Sequence, residues 1–305
     1  MNDLRPIDDL YHPVARQETC SLAAVRRIAA MLDQDPDKWS EGDLLPRGWQ
    51  FILLGADTKR SELREDGFPG LGVSLPDLGL PRLMLGGRTV RFNGDIRIGA
   101  ILRRESQIQK LTRKETANGR MAFATVAHAL HAADGQDPVL VETQNYILLG
   151  AGPASRKATN FATVMRPGTM KRIVPNEALL FQYSALGFNS HKIHLDRNFA
   201  RETEGFPDLV VNGGLATLLL TEFLRLELKG VLTSLTAKHV APLFCGRPIS
   251  LGGIGRMTRG YCVLSTTMAS WPWTLRHVHD AGQLATPALR PDHSRRRTSP
   301  RTSQQ

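Results

Sequence analysis

The sequence predicts an α+β fold in which one arrangement occurs twice: an apolar helix accompanied by several antiparallel strands. Three observations carry that prediction. Apolar residues recur at helical spacing once in each half. The segments around them alternate apolar and polar residues and are broken by turn residues such as NGD, ANG and ADGQD. A basic, breaker-rich stretch separates the two halves. Identity between the halves is too weak for a sequence repeat.

In the first half, Leu22, Ala23, Val25, Ile28, Ala29 and Leu32 fall at i, i+3, i+4 spacing and predict a helix. A second apolar helix is expected near residues 49–54 (WQFILL), with Trp49 and Phe51 packing the core rather than meeting substrate. Residues 66–81 are rich in Gly and Pro and read as a loop. Strands are expected at 88–98, 101–110, 120–129 and 138–146. Residues 151–176 carry five basic and no acidic side chains and read as a linker. In the second half, residues 178–185 (ALLFQYSA) read as a strand and residues 215–228 as an apolar helix opened by Asn212-Gly213-Gly214. Residues 231–240 and 247–251 read as strands.

The 305 residues suit about two domains. With 41% hydrophobic residues, bulk disorder is excluded. The net charge is +10, from 39 basic and 29 acidic residues. Part of it comes from the segment after residue 288, with five Arg and one Asp, a solvated tail by composition. No recognition motif accompanies the charge, so nucleic acid is not an expected partner. The most apolar stretch, 209–220, is shorter than the ~20 residues a membrane span needs. No basic-then-apolar leader pattern opens the sequence. Cys20, Cys245 and Cys262 are scattered without a CxxC pair, which suits a reducing cytoplasm and argues against a cysteine metal site.

The chemistry is densest in residues 184–205, SALGFNSHKIHLDRNFARETEG. His191, His194 and Asp196 cluster there, preceded by Asn189. Polar groups this dense beside a buried helix are costly unless satisfied. A solvated loop with capping residues is one reading. A general acid/base site, His194 beside Asn189, is another. The HxxH-plus-Asp spacing lacks a further ligand run, so no metal is expected.

Taken together, FNSHKIHLDRNFA, EGFPDLVVNGGLATLLL, SELREDGFP, LPRLMLGGRTVRF, IRIG and RMAFATVAH resemble, in order, the MaoC-like double hot-dog acyl-CoA dehydratases and hydratases. They are most similar to the branch acting on 3-methylfumaryl-CoA (mesaconyl-CoA). The resemblance spans residues 22–264. It implies two hot-dog halves, each a helix wrapped by an antiparallel sheet: residues 1–150 non-catalytic and 177–265 carrying the catalytic motif. It implies reversible hydration of a short 2-enoyl-CoA, a hydro-lyase reaction. CoA would arrive as part of the substrate, with no resident cofactor, and the protein would be a homo-oligomer. Substrates of itaconyl or straight-chain type, or an inactive acyl-CoA-binding protein, are the alternatives.

On the family motif DxNPxH, His194 matches the His, Asn189 stands at the Asp position and His191 at the Asn position. Asn cannot act as a base. The resemblance therefore implies His194 as acid and base, Asn189 positioning water and His191 supporting. Asp196 either orients a His or caps the next turn. The Gly213 and Gly214 N–H groups would bind the thioester oxygen, or these glycines merely allow close packing. Asn212 stands where the family usually has His. Arg82 would meet a substrate carboxylate, or be a surface or CoA-phosphate contact.

The resemblance stops near Ser265. Read one base out of frame, TTMASWPW (266–273) gives DDHGVLAM, which suits the family's next strand. Residues 266–305 therefore read as a frame-shifted or disordered tail, with a last strand lost and a sheet edge exposed.

Overall fold

The computed structural model describes residues 12–116, 119–151, 170–239, 241–256, 259–266 and 273–276. Ten strands form one antiparallel sheet: β1 (Val14–Thr19), β2 (Arg82–Phe92), β3 (Ile101–Thr116), β4 (Gly119–Ala132), β5 (Pro138–Leu149), β6 (Met170–Ile173), β7 (Ser234–Lys238), β8 (Ile249–Arg256), β9 (Arg259–Thr266) and β10 (Trp273–Arg276). Their order is β1-β3-β4-β5-β2-β7-β10-β9-β8-β6. The strands of the first half thus lie to one side of the β2–β7 pair and those of the second half to the other. Among the described residues, three α-helices accompany them: α1 (Leu22–Met31), α2 (Glu177–Leu186) and α3 (Gly213–Leu226). The class is α+β, as the pattern predicts.

The two halves join where β2 pairs with β7, Gly87 opposite Lys238 through Arg91 opposite Ser234. A side chain at Gly87 would collide with the Ala237 carbonyl, so this glycine permits the seam. β2 begins at Arg82, six residues before the expected start, and ends at Phe92 rather than Ile98. The adjacent Gly86 and Gly87 interrupt the alternation there, and the structure places a register shift between Leu85 and Gly87. β3 also runs on to Thr116.

Other expectations need correction. Residues 178–185 are not a strand but helix α2. The Asn176 side chain accepts from the Leu179 N–H at 2.9 Å and caps it, and Glu177 complements the positive helix end. The expected helix at 49–54 is a single 3₁₀ segment, Trp49–Leu53. The stretch read as linker contains β6, which pairs with β8 at Ile173–Ile249. A strand also forms within the segment read as a tail: β10 pairs with both β7 and β9. Residues 152–169, most of that linker, lie outside the described residues, as do 267–272 and 277–305.

One core cluster unites Val25 and Ile28 of α1, Trp49 and Leu53, Val90 of β2, Leu215, Leu219 and Phe223 of α3, Leu235 of β7 and Ile249 of β8. Each such side chain contributes roughly 2 kcal/mol when fully buried. Trp49 also donates its indole N–H to Glu222 of α3 at 2.8 Å, which fastens the 3₁₀ segment to the second half's helix. α3 is therefore tied to the first half near its C-terminal end as well as packed in the shared core.

Candidate active site

A cavity of about 220 Å³ lies where α2, the 188–194 loop, the start of α3 and strands β2 and β5 meet. Asn189, His191, His194, Gly213 and Gly214 all line it, so the structure brings together five of the residues singled out in the sequence. Arg82 and Asp196 are not in its wall.

The loop that carries the histidines is tied down at both ends. Asn189 Oδ1 accepts from the His191 N–H at 3.1 Å, and the His194 N–H donates to the His191 carbonyl at 3.1 Å. Both rings are buried, with centroids 5.5 Å apart, edge to face. His194 Nδ1 stands 2.7 Å from the Val210 carbonyl oxygen. A carbonyl only accepts, so Nδ1 carries the hydrogen and Nε2 keeps its lone pair. Burial, reinforced by the neighbouring His191, drives the His194 pKa down to about 3, against the opposing pull of the Val210 carbonyl. Burial likewise takes His191 down to about 4, although Asp66 opposes it. Both rings are neutral at neutral pH.

Asp66 comes from the first half. Its Oδ2 lies 3.6 Å from His191 Nε2, its carbonyl accepts from the Lys192 N–H, and the Ser190 hydroxyl donates to the Gly67 carbonyl at 2.7 Å. The 66–81 loop therefore buttresses the histidine loop. Asp196 does not orient a histidine: its Oδ1 accepts from the Phe199 N–H at 3.0 Å and caps the turn that follows.

α3 opens towards the cavity without a side-chain cap. Asn212, itself in the cavity wall, makes no cap bond and donates to Ser184 Oγ at 3.2 Å. The first N–H groups of a helix have no intrahelical acceptor and form its positive end. Both glycines are required by packing as well. A Cβ at Gly214 would overlap the Tyr183 hydroxyl, and one at Gly213 would press on the His239 ring at 3.1 Å. Tyr183 stacks on Phe51 with centroids 4.5 Å apart; Phe51 and Trp49 both belong to the core, as expected, and Phe51 lines the cavity as well.

Arg82 pairs with Glu204 at 2.7 Å, and both side chains are largely buried. It is neither a surface charge nor in the cavity wall. The arginine in the wall is Arg88, which the sequence reading passed over. With it come Tyr183, Gln144, Tyr146 and His239. Among the described residues, no group of three or more His, Cys, Asp or Glu is placed to hold a metal, and no helix is long and apolar enough to cross a membrane.

The fold matches solved structures of MaoC-like dehydratases. The enzyme from Phytophthora capsici superposes with a TM-score of 0.66, over 91% of this chain and all of the other, at 12% identity. HtdX of Mycobacterium tuberculosis gives 0.60 over 87% of this chain and 98% of the other, at 14% identity. The fold is thus the MaoC-like double hot-dog. The profile described as hydroxyacyl-thioester dehydratase type 2 matches residues 48–245, and the chain belongs to that family of hydro-lyases. Mesaconyl-C(4)-CoA hydratase of Chloroflexus aurantiacus is 31% identical over 237 residues, 77% of this chain and 84% of that protein.

Proposed function

We propose that the protein reversibly adds water to a short 2-enoyl-CoA thioester, with His194 as the acid and base. The single observation that carries this reading is the His194–Val210 bond, which leaves a neutral, buried Nε2 lone pair at a cavity into which an uncapped helix N-terminus also opens. In the hydration direction, Nε2 takes a proton from water and the water oxygen bonds to Cβ. The π electrons move to Cα and the thioester carbonyl, and negative charge gathers on its oxygen. The Gly213 and Gly214 N–H groups are suited to receive that charge. His194 then returns a proton to Cα, so H and OH are both accounted for. Because burial disfavours the imidazolium, the proton spends little time on the ring.

Asn189 commits one acceptor site of its carbonyl oxygen to the His191 N–H. Its amide N–H₂ remains to orient the water. The reaction needs no resident cofactor, and CoA arrives as part of the substrate. The likeness to mesaconyl-C(4)-CoA hydratase favours 3-methylfumaryl-CoA as substrate and citramalyl-CoA as product. The test is the loss of enoyl absorbance when purified protein meets 3-methylfumaryl-CoA or crotonyl-CoA. Turnover of the first at the higher kcat/KM is expected. Turnover of crotonyl-CoA alone would move the assignment to straight-chain substrates. Turnover of neither by folded protein would leave an acyl-CoA-binding protein without hydratase activity.

A further inference from the structure

Among the described residues lining the cavity, Arg88 is the one permanently charged side chain, and no Asp or Glu lines it. Its counterion sits behind it: Nη1 lies 3.0 Å from Oε1 of Glu142, which is fully buried and outside the cavity wall. Glu142 is itself fixed, with Gln144 donating to Oε1 at 2.7 Å and Gln50 to Oε2 at 3.2 Å. The carboxylate thus engages the guanidinium through Nη1. Arg88 Nε is buried without a hydrogen-bond partner. Nη2 reaches the start of α3, 3.3 Å from the point where a Cβ of Gly214 would stand. A guanidinium fork and the positive end of a helix therefore converge on one end of the cavity. A wholly apolar acyl group would leave those donors unmet, which is costly in a buried site. A carboxylate would satisfy them with charge-assisted bonds.

We propose that Arg88 is the receptor for a carboxylate on the acyl group, so that the site selects dicarboxylic over monocarboxylic acyl-CoA thioesters. The assignment rests on the acyl-CoA reading above and replaces Arg82, whose charge is already committed to Glu204. Glu142 is a positioning residue that keeps the fork aimed at the cavity.

Succinyl-CoA and butyryl-CoA differ only by a carboxylate in place of a methyl group, and neither has a double bond to hydrate. Their binding to the intact protein can be measured by titration calorimetry without any turnover. Wild-type protein should bind succinyl-CoA at least about tenfold more tightly, the scale of a bond to a charged group. Arg88→Lys, which keeps a counterion for Glu142 but loses the planar fork, should lower that preference. The double variant Arg88→Met/Glu142→Met, which leaves no buried charge behind, should abolish it. Equal binding of the two ligands by wild-type protein, or a preference unchanged in Arg88→Lys, overturns the proposal. Hydration of 3-methylfumaryl-CoA by wild-type protein, run alongside, reports on the hydratase reading separately. Hydration without carboxylate preference would sink only the assignment of Arg88. Carboxylate preference without hydration would sink only the chemistry assigned to His194.

Discussion

His194 Nδ1 lies 2.7 Å from the carbonyl oxygen of Val210, and this one bond decides which face of the imidazole can do chemistry. Val210 directly precedes the Val211-Asn212 approach to α3. The same short segment therefore sets the histidine tautomer and aims the helix N-terminus. His194 and the Gly213 and Gly214 N–H groups are thus coupled through about four residues of backbone. The π-helical turn Phe199–Thr203 and the loop after it return the chain from His194 to Val210, where the Val210 N–H donates to Ile193.

The packing of Gly214 against Tyr183 can be tested apart from chemistry. Gly214→Ala should cost about 1–3 kcal/mol of stability, because the new methyl overlaps the Tyr183 hydroxyl. Gly214→Ala/Tyr183→Phe should recover part of it, since the clash is with that oxygen. Thermal unfolding of the two single variants and the double completes the cycle. Strict additivity would show that the contact is not what constrains the glycine.

Acid should destabilise the fold in a defined window. His128, His191 and His194 are all buried, and burial lowers their pKa values to about 4, about 4 and about 3. Below about pH 6.5 the unfolded chain binds protons that the folded chain refuses. Their contribution to stability is thus complete above that pH and is lost as the pH falls from about 6.5 towards 4. Each histidine adds up to ~1.4 kcal/mol per pH unit inside the window. His128, bonded to Ser106 at 2.8 Å and outside the cavity wall, is the convenient probe. His128→Gln should flatten the fall in Tm between pH 6.5 and 4.5. An unchanged slope would contradict the linkage.

Arg82 and Arg88 make opposite predictions. Arg82→Met strands the largely buried Glu204 and should cost about 3 kcal/mol, most of it recovered in Arg82→Met/Glu204→Met. The ratio of succinyl-CoA to butyryl-CoA affinity should stay at its wild-type value in the double variant. A collapse of that ratio would return the carboxylate contact to Arg82.

What the sequence revealed of this site was what lies contiguous in the chain. Asn189, His191 and His194 stand within six residues, and Gly213 and Gly214 adjoin the apolar helix they open, so spacing alone grouped each set. The partners that give those residues their state were hidden for separate reasons. Val210 acts through its backbone, which no side-chain pattern reveals. Tyr183 was obscured because ALLFQYSA shows no period that separates a buried helix from a strand, and only the Asn176 cap signals the helix. Arg88 depends on register: β2 pairs with β5 so that Arg88 faces Gln144 and lies next to Glu142, and the shift at Gly86 is what sets that alignment. Arg82 and Arg88 sit in one motif, and the motif does not say which of them turns to the cavity.

The proposed chemistry rests on His194. The decisive measurement is kcat for hydration of 3-methylfumaryl-CoA by wild-type protein and by His194→Ala, with a cooperative thermal transition in each establishing that both are folded. Removal of a general acid/base group should lower kcat by roughly 10²–10⁴-fold while acyl-CoA binding persists. A folded His194→Ala protein that turns over at the wild-type rate would place the proton transfer elsewhere and contradict the mechanism.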